Sequence, residues 1–360
     1  MIKQYYKQAL AQLRQHPLIS IIGIVGTALS IFLIMLVVMM QQVKVAPFSP
    51  ESNRNRFLHV HYMSISHKDW GNGTSNGPMS VQTAREVYKS LKAPEAVTVY
   101  CCMTVSTPVS LPGAPAIGAD VRETDDTFFH VFDFQFTDGK PYDEATFTAG
   151  RPVAVITESI SRALFGSIQS VGKEFLLSHA PYRVVGVVKD VSTLADMAYG
   201  QVWIPFTSTN LSNDTWSDNH MGMMSVTLLA HDREDFDEIR AEAKRRMNEY
   251  NSILADQGYT LIDRNRPYDQ ETQSISFAAN LEPDLKAARR ERVIVFIILL
   301  LVPAINLSSM TQSRLRQRVA EIGVRRAFGS TRIEMVGQIV MENLVITLLA
   351  GAIGLLISIL

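Results

Sequence analysis

The sequence predicts an α+β membrane protein: an N-terminal membrane helix, a large two-lobed extracytoplasmic domain, and further membrane helices joined by an amphipathic connector. Three observations carry this. Residues 18–43, 293–313 and 344–360 hold no charged side chain, and about 20 apolar residues suffice to cross a hydrocarbon core of roughly 30 Å as a helix. Residues 44–292 alternate between strand-type and helix-type patterning, as a folded domain of mixed class does. The connector 314–343 is amphipathic and rich in arginine.

The amino end, 1–17, is basic through Lys3, Lys7 and Arg14, and Ile2, Tyr5, Ala9, Leu10 and Leu13 recur at helical spacing. That pattern suits either an interfacial amphipathic segment or a plain extension of the first span. The apolar run after it is longer than a signal-peptide core and has no small-residue cleavage site, so it reads as an uncleaved anchor over 18–43. Gly23, Gly26 and Ser30 form a small-residue strip on it, suited to close helix packing and to contact with a second copy.

Between Lys44 and Arg292 lies the extracytoplasmic domain. Residues 57–65 read as a strand, 66–78 as a Gly, Asn and Ser-rich loop, and 81–91 as a short helix capped by Ser80. Strand patterning returns over 97–109 and 223–230, followed by a helix at 234–254 with Phe236, Ile239, Ala243 and Met247 on one face. These form a βαβ-type first lobe from about 44–115 and 205–290. A strand-rich second lobe is inserted at about 116–204, with an aromatic-rich stretch at 127–136, strands at 153–157 and 182–188, and a helix at 159–165.

The remaining spans, 293–313 and 344–360, flank the connector. Pro303 and Asn306 inside the second span are tolerated where neighbouring helices satisfy the loosened backbone. Lys and Arg near a span are held on the cytoplasmic side. The basic amino end and Arg314, Arg316, Arg318, Arg325, Arg326 and Arg332 therefore share the cytoplasm, although Lys286, Arg289, Arg290 and Arg292 argue weakly the other way. The sequence stops inside the third span, which reads as the mark of a fragment.

Composition narrows the function. A formal net charge of −1 gives no basic stripe for nucleic acid. Cys101 and Cys102 are adjacent and read as strand residues on opposite faces rather than an ordinary disulfide. His59 and His61 alternate on a strand, with His67 nearby; two imidazoles there are a conceivable metal pair, but exposed strand histidines are far commoner. The run 166–174, GSIQSVGKE, has one residue too many between its glycines for a phosphate loop and lacks Ser or Thr after Lys173. No nucleophile turn or HExxH occurs, so no catalytic residue, cofactor site or metal site is assigned.

The runs VAVITESISRALFG, VGKEFLL and YRVVGVVKDV resemble the extracytoplasmic core domain of MacB-type ATP-binding cassette permeases. The later run INLSSMTQSRLRQRVAEIGVRRAFGSTRIEMVGQIVMEN is similar to the FtsX-like permease domain that follows it in that family. Glu321, Ile322, Gly323, Arg325, Arg326, Ala327, Gly329 and Ser330 fall at the family's positions; Phe328 stands where the family often has leucine. Family members usually have four spans, and the fourth is absent here.

The resemblance implies a multi-pass protein of the bacterial cytoplasmic membrane, its N-terminus inside and its large domain outside. It implies a permease subunit that is not itself an enzyme. A separate cytoplasmic ATPase holds ATP and Mg²⁺, and its closure is transmitted through the helices to the outer lobes, driving export or extraction of a substrate. Partners implied are that ATPase, a second permease copy or a paralogue in a dimer, the lipid bilayer, and a periplasmic adaptor or outer-membrane channel. The ATPase-coupling residues would be Glu321, Gly323, Arg325, Arg326, Ala327, Gly329 and Ser330. Their stripe is read from sequence as Val319, Ile322, Arg326 and 328–333, with a lipid-anchored interfacial helix that has no partner as the weaker alternative. Competing readings are a membrane receptor or regulatory scaffold, and an FtsX-like regulator of an extracellular cell-wall hydrolase.

Overall fold

The computed structural model describes residues 17–210, 213–317 and 319–359. The predicted amphipathic stretch at the amino end lies, but for its last residue, outside the described residues. Two compact units are present: Lys44–Pro283, and a unit made of Met1–Val43 with Asp284–Leu360.

The first helix, α1 (Pro17–Val45), runs into the larger unit. There β1 (Phe57–Val60), β2 (Met63–His67) and β3 (Thr74–Gly77) precede α2 (Val81–Ala84), which continues as a wider π-type turn over Arg85–Lys89. Next come β4 (Ala96–Cys101), β5 (Val105–Ser110), β6 (Ile117–Thr124), α3 (Phe128–Val131), β7 (Phe136–Gly139) and α4 (Glu144–Thr148). The unit continues with β8 (Val153–Thr157), α5 (Glu158–Phe165), β9 (Glu174–Leu177), β10 (Ala180–Val188) and β11 (Val202–Pro205). It ends with β12 (Met224–Leu229), α6 (Phe236–Leu254), β13 (Tyr259–Ile262), β14 (Tyr268–Asp269) and α7 (Gln270–Gln273).

Strands β14, β1, β12 and β4 form an antiparallel sheet. Leu58 and Val60 point to one face of it, where they bury against Val87, Tyr88 and the α6 residues Phe236, Ile239, Ala243, Met247, Tyr250 and Leu254. Ser80 Oγ accepts the Thr83 N–H at 3.1 Å and so caps α2. The single strand expected over 57–65 is two strands, because the chain leaves the main sheet after Val60 and joins β13 and β3 in a second one. Residues 74–77, expected in a loop, are β3: backbone pairing with Met63–Ser66 overrides their poor strand composition.

The main sheet passes into a closed ring through one pair, Tyr100 opposite Thr124. Strand β6 pairs β5, then β9, β10, β8 and β11 follow, and β11 returns to β6 in parallel. The ring takes in β5, upstream of residue 116, because β5 and β6 form a hairpin. Its interior is apolar, with Val109, Val121, Ile156, Phe175, Val184 and Ile204 buried. Ring and sheet share a third, aromatic cluster: Phe57, Tyr100 and Leu229 from the sheet meet Trp203, Val155 and Val188 from the ring, with Phe128, Phe132 and Phe134 between.

In the smaller unit, α1 meets α8 (Leu285–Gln317), and α9 (Val319–Ala327) and α10 (Arg332–Ile359) follow. Three stretches, Ile21–Val45, Leu285–Ser313 and Arg332–Ser358, are long and apolar enough to cross a membrane. Lys286, Arg289, Arg290 and Arg292 therefore stand on the opening turns of α8 itself.

Candidate functional site

The connector is built as a short helix, a tight turn and a capped re-entry. Helix α9 ends at Ala327, where Phe328 N–H donates to Val324 O at 3.1 Å and Gly329 N–H to Arg326 O at 3.1 Å. Gly329 has φ of +94°, a conformation that side chains with a Cβ resist, so glycine shapes the turn. Two residues on, Thr331 N–H donates to Glu334 Oε2 at 2.9 Å and Glu334 N–H to Thr331 Oγ1 at 3.3 Å. This reciprocal capping fixes where α10 begins.

Spacing of i, i+4, i+7 and i+8 places Ala320, Val324, Ala327 and Phe328 on one stripe of α9. All four are exposed, Val324 by 56% and Phe328 by 86%. Of the stripe read from sequence, Val319, Arg326, Phe328 and Ile333 are exposed and Ile322 is half-buried. Arg326 is exposed, Ser330 half-buried, and nothing packs where a Cβ on Gly323 or Gly329 would stand. The backbones of Glu321 and Arg325 lie on α9, and their side chains lie outside the description.

Gly23, Gly26 and Ser30 all lie on α1. A Cβ on Gly23 would strike Met310 of α8, and one on Gly26 would strike Asn306. Asn306 Nδ2 reaches Thr27 Oγ1 at 3.4 Å, and Ser30 Oγ donates to Gly26 O at 2.8 Å. Thr311 on α8 and Asn343 on α10 hydrogen-bond each other, with Asn343 Nδ2 donating to Thr311 Oγ1 at 2.9 Å. In this structure the small-residue strip thus faces the chain's own second span.

Among the described residues no group of three or more His, Cys, Asp or Glu is arranged to hold a metal. His59, expected to be exposed, is buried: Nε2–H donates to Gln270 Oε1 at 2.8 Å, and Nδ1 lies 3.1 Å from Thr227 Oγ1. His61 Nδ1 lies 3.3 Å from Ser225 Oγ, and His67 Nδ1 lies 3.5 Å from Asp69 Oδ2. Cys101 is buried at the end of β4, and Cys102 beyond it is half-buried. The glycine-bearing run at 166–174 is a turn, with Gly166 capping α5 at φ of +70°.

Burial pushes the His59 imidazole down to about 4 from its ordinary 6.5, its hydrogen bond to Gln270 opposing the shift. A depressed folded value means that the unfolded chain takes up the proton first, so stability is intact above 6.5 and falls as pH drops towards 4. The drop of about 2.5 units, at 1.36 kcal/mol each, sets a loss of about 3 kcal/mol. Urea midpoints of the full chain between pH 7 and 4 are expected to fall more steeply in the wild type than in His59→Gln; parallel curves would exclude His59 as the source.

Two sequence families match the chain. The MacB-like periplasmic core domain matches residues 18–246, and the FtsX-like permease C-terminal region matches residues 293–360. The uncharacterized ABC transporter permease YknZ of Bacillus subtilis is 20% identical over 361 residues, 97% of this chain and 83% of that protein. The macrolide export ATP-binding/permease protein MacB of Burkholderia cenocepacia is 23% identical over 244 residues, 67% of this chain and 33% of that protein. The aligned region is thus about a third of that relative's length. The crystal structure of the extracellular domain of the YknZ transporter from Gram-positive bacteria aligns with 56% of this chain and 100% of its own, at a TM-score of 0.40 and 15% identity.

Three apolar helices and a periplasmic-type α+β domain define a membrane protein with an extracytoplasmic domain. With the core-domain match alone covering more than half of the sequence, the chain belongs to the MacB/FtsX-like family of ATP-binding cassette transporter permeases.

Proposed function

We propose that the chain transmits ATP-driven motion from a separate cytoplasmic ATPase, which binds ATP and Mg²⁺, to the extracytoplasmic domain, and so exports or extracts a substrate. In this reading the amino end and the connector lie in the cytoplasm, and the permease works as a dimer with a second copy or a paralogue. The observation that supports it most is the open stripe of Ala320, Val324, Ala327 and Phe328 beside Arg326. An apolar stripe flanked by charge suits a helix seated in a partner's groove, the charges setting register. The Gly329 turn and the Thr331 cap link that stripe directly to α10, so a push on α9 is carried to the span rather than absorbed by slack chain. Pairing of Asn343 with Thr311 extends the path to α8.

Docking predicts a clear mutational pattern. Arg326→Glu and Phe328→Asp are expected to cut ATPase co-purification by about tenfold or more, since an anchor of this kind contributes at least about 2 kcal/mol, while both variants reach the membrane at wild-type levels. Arg326→Lys retains the charge and should retain most of the association. Unchanged co-purification with both disruptive variants would remove the docking assignment.

A further inference from the structure

One end of the strand ring is open. The start of β5, the end of β6, the turn from β9 to β10 and the chain just beyond β11 line an open cavity of about 470 Å³ there. Its volume falls in the range of about 300–1,000 Å³ typical of small-molecule sites, which occur in the mouths of β-barrels among other places. Val105, Val121, Leu177 and Ile204 supply apolar wall, and Glu123 and Thr209 supply polar groups.

The carboxylate is the unusual member. Along β6, Ala119, Val121 and Glu123 alternate onto one face; the first two are buried in the ring interior, and the third arrives at the mouth. Thr209 Oγ1 donates to Glu123 Oε2 at 2.5 Å, and among the described residues no Lys or Arg forms an ion pair with it. Burial pushes the Glu123 carboxyl up to about 7, against the lowering effect of the Thr209 hydrogen bond. Cys101 from β4 and Tyr182 from β10 also line the cavity, and neither supplies a positive charge. A half-buried carboxylate without a cation is costly, and a bound positive charge offsets that cost.

We propose that this ring mouth is a binding site for an organic ammonium ion, its nitrogen against Glu123 and its apolar body against Val105, Val121, Leu177 and Ile204. The inference does not rest on ATPase docking, since it concerns the extracytoplasmic unit alone. A ligand of this class meets a charge-assisted hydrogen bond beside an apolar wall, in which Val121, Leu177 and Ile204 are buried and Val105 is exposed at the rim.

The full chain in lipid nanodiscs, titrated with 4-phenylbutylamine and with the uncharged 4-phenylbutanol, tests it by saturation-transfer NMR. The amine is expected to bind saturably and at least about tenfold more tightly than the alcohol, as a hydrogen bond to a charged group contributes about 1.5–3 kcal/mol. Glu123→Gln should weaken the amine by about tenfold. Val105→Trp, which keeps the carboxylate and fills the mouth, should abolish binding and decides the matter if the first variant folds poorly. Equal binding of amine and alcohol, amine binding untouched by either substitution, or uptake that never saturates would each overturn the proposal.

Discussion

Replacing Arg54 with alanine is expected to destabilise the extracytoplasmic domain by about 3–5 kcal/mol, because it strands a buried carboxylate. Arg54 and Glu51 are 3% and 1% exposed, and the guanidinium meets Glu51 Oε2 at 2.7 Å through both Nε and Nη2. Its Nη1 also donates to Ala46 O and its Nη2 to Leu194 O, each at 3.0 Å. Glu51 Oε1 in turn accepts the N–H groups of Met197 and Ala198, each at 2.9 Å. The pair therefore pins the loop before β11 to the chain that has just left the first span, and Arg122 holds the same loop through Tyr199 O at 2.6 Å and Asp196 O at 3.0 Å. Burial already raises the Glu51 carboxyl, with Arg54 as the largest opposing influence. Losing Arg54 raises it further, so the folded variant takes up a proton more readily than the unfolded chain. A raised folded value gives stability that is greatest at low pH and lost as pH rises, so the deficit should be largest at pH 8 and shrink towards pH 5. Urea midpoints of the full chain in nanodiscs measure both effects, and a deficit below about 1 kcal/mol, or one that grows on acidification, would show that the pair is not isolated from solvent.

The spans were legible because a membrane helix writes itself as a continuous apolar run, and 18–43, 293–313 and 344–360 all lie within described helices apart from the terminal Leu360. Helix α6 was legible for a related reason: Phe236, Ile239, Ala243 and Met247 recur at helical spacing, and each is buried as read. Ring closure was not, since β11 meets β6 about 80 residues away and no local pattern encodes a pairing at that distance. Burial of His59 escaped for a different reason. A period of two tells which residues share a face but not which face is covered, and the cover comes from Gln270, far along the chain. In the connector, the turn at Gly329 follows from residue type, whereas the reciprocal cap of Thr331 and Glu334 was not read from the sequence and is seen only in the structure.

Trp203→Ala should cost about 3–5 kcal/mol, the range for truncating a large buried aromatic side chain, and its second effect separates two views of how ring and sheet are joined. Trp203 is fully buried on β11, its ring 5.0 Å from Phe134 and 6.5 Å from Phe129, and Nε1–H donates to Ala198 O at 3.2 Å. The cluster it anchors also contains Phe57 and Leu229 from β1 and β12, so ring and sheet are fused by apolar contact as well as by the one backbone pair at Tyr100 and Thr124. Close-packed interiors transmit strain because they have little room to yield. If the cluster makes ring and sheet one mechanical body, the cavity left by alanine should speed amide exchange in β11 and also in β1 and β12, which belong to the other part. Trp203→Phe fills most of the space and loses the Ala198 hydrogen bond, so it should move exchange in the same segments by a smaller amount. Faster exchange confined to β8, β10 and β11 would instead mean that the ring opens by itself, independently of the sheet it joins at the Tyr100 pairing.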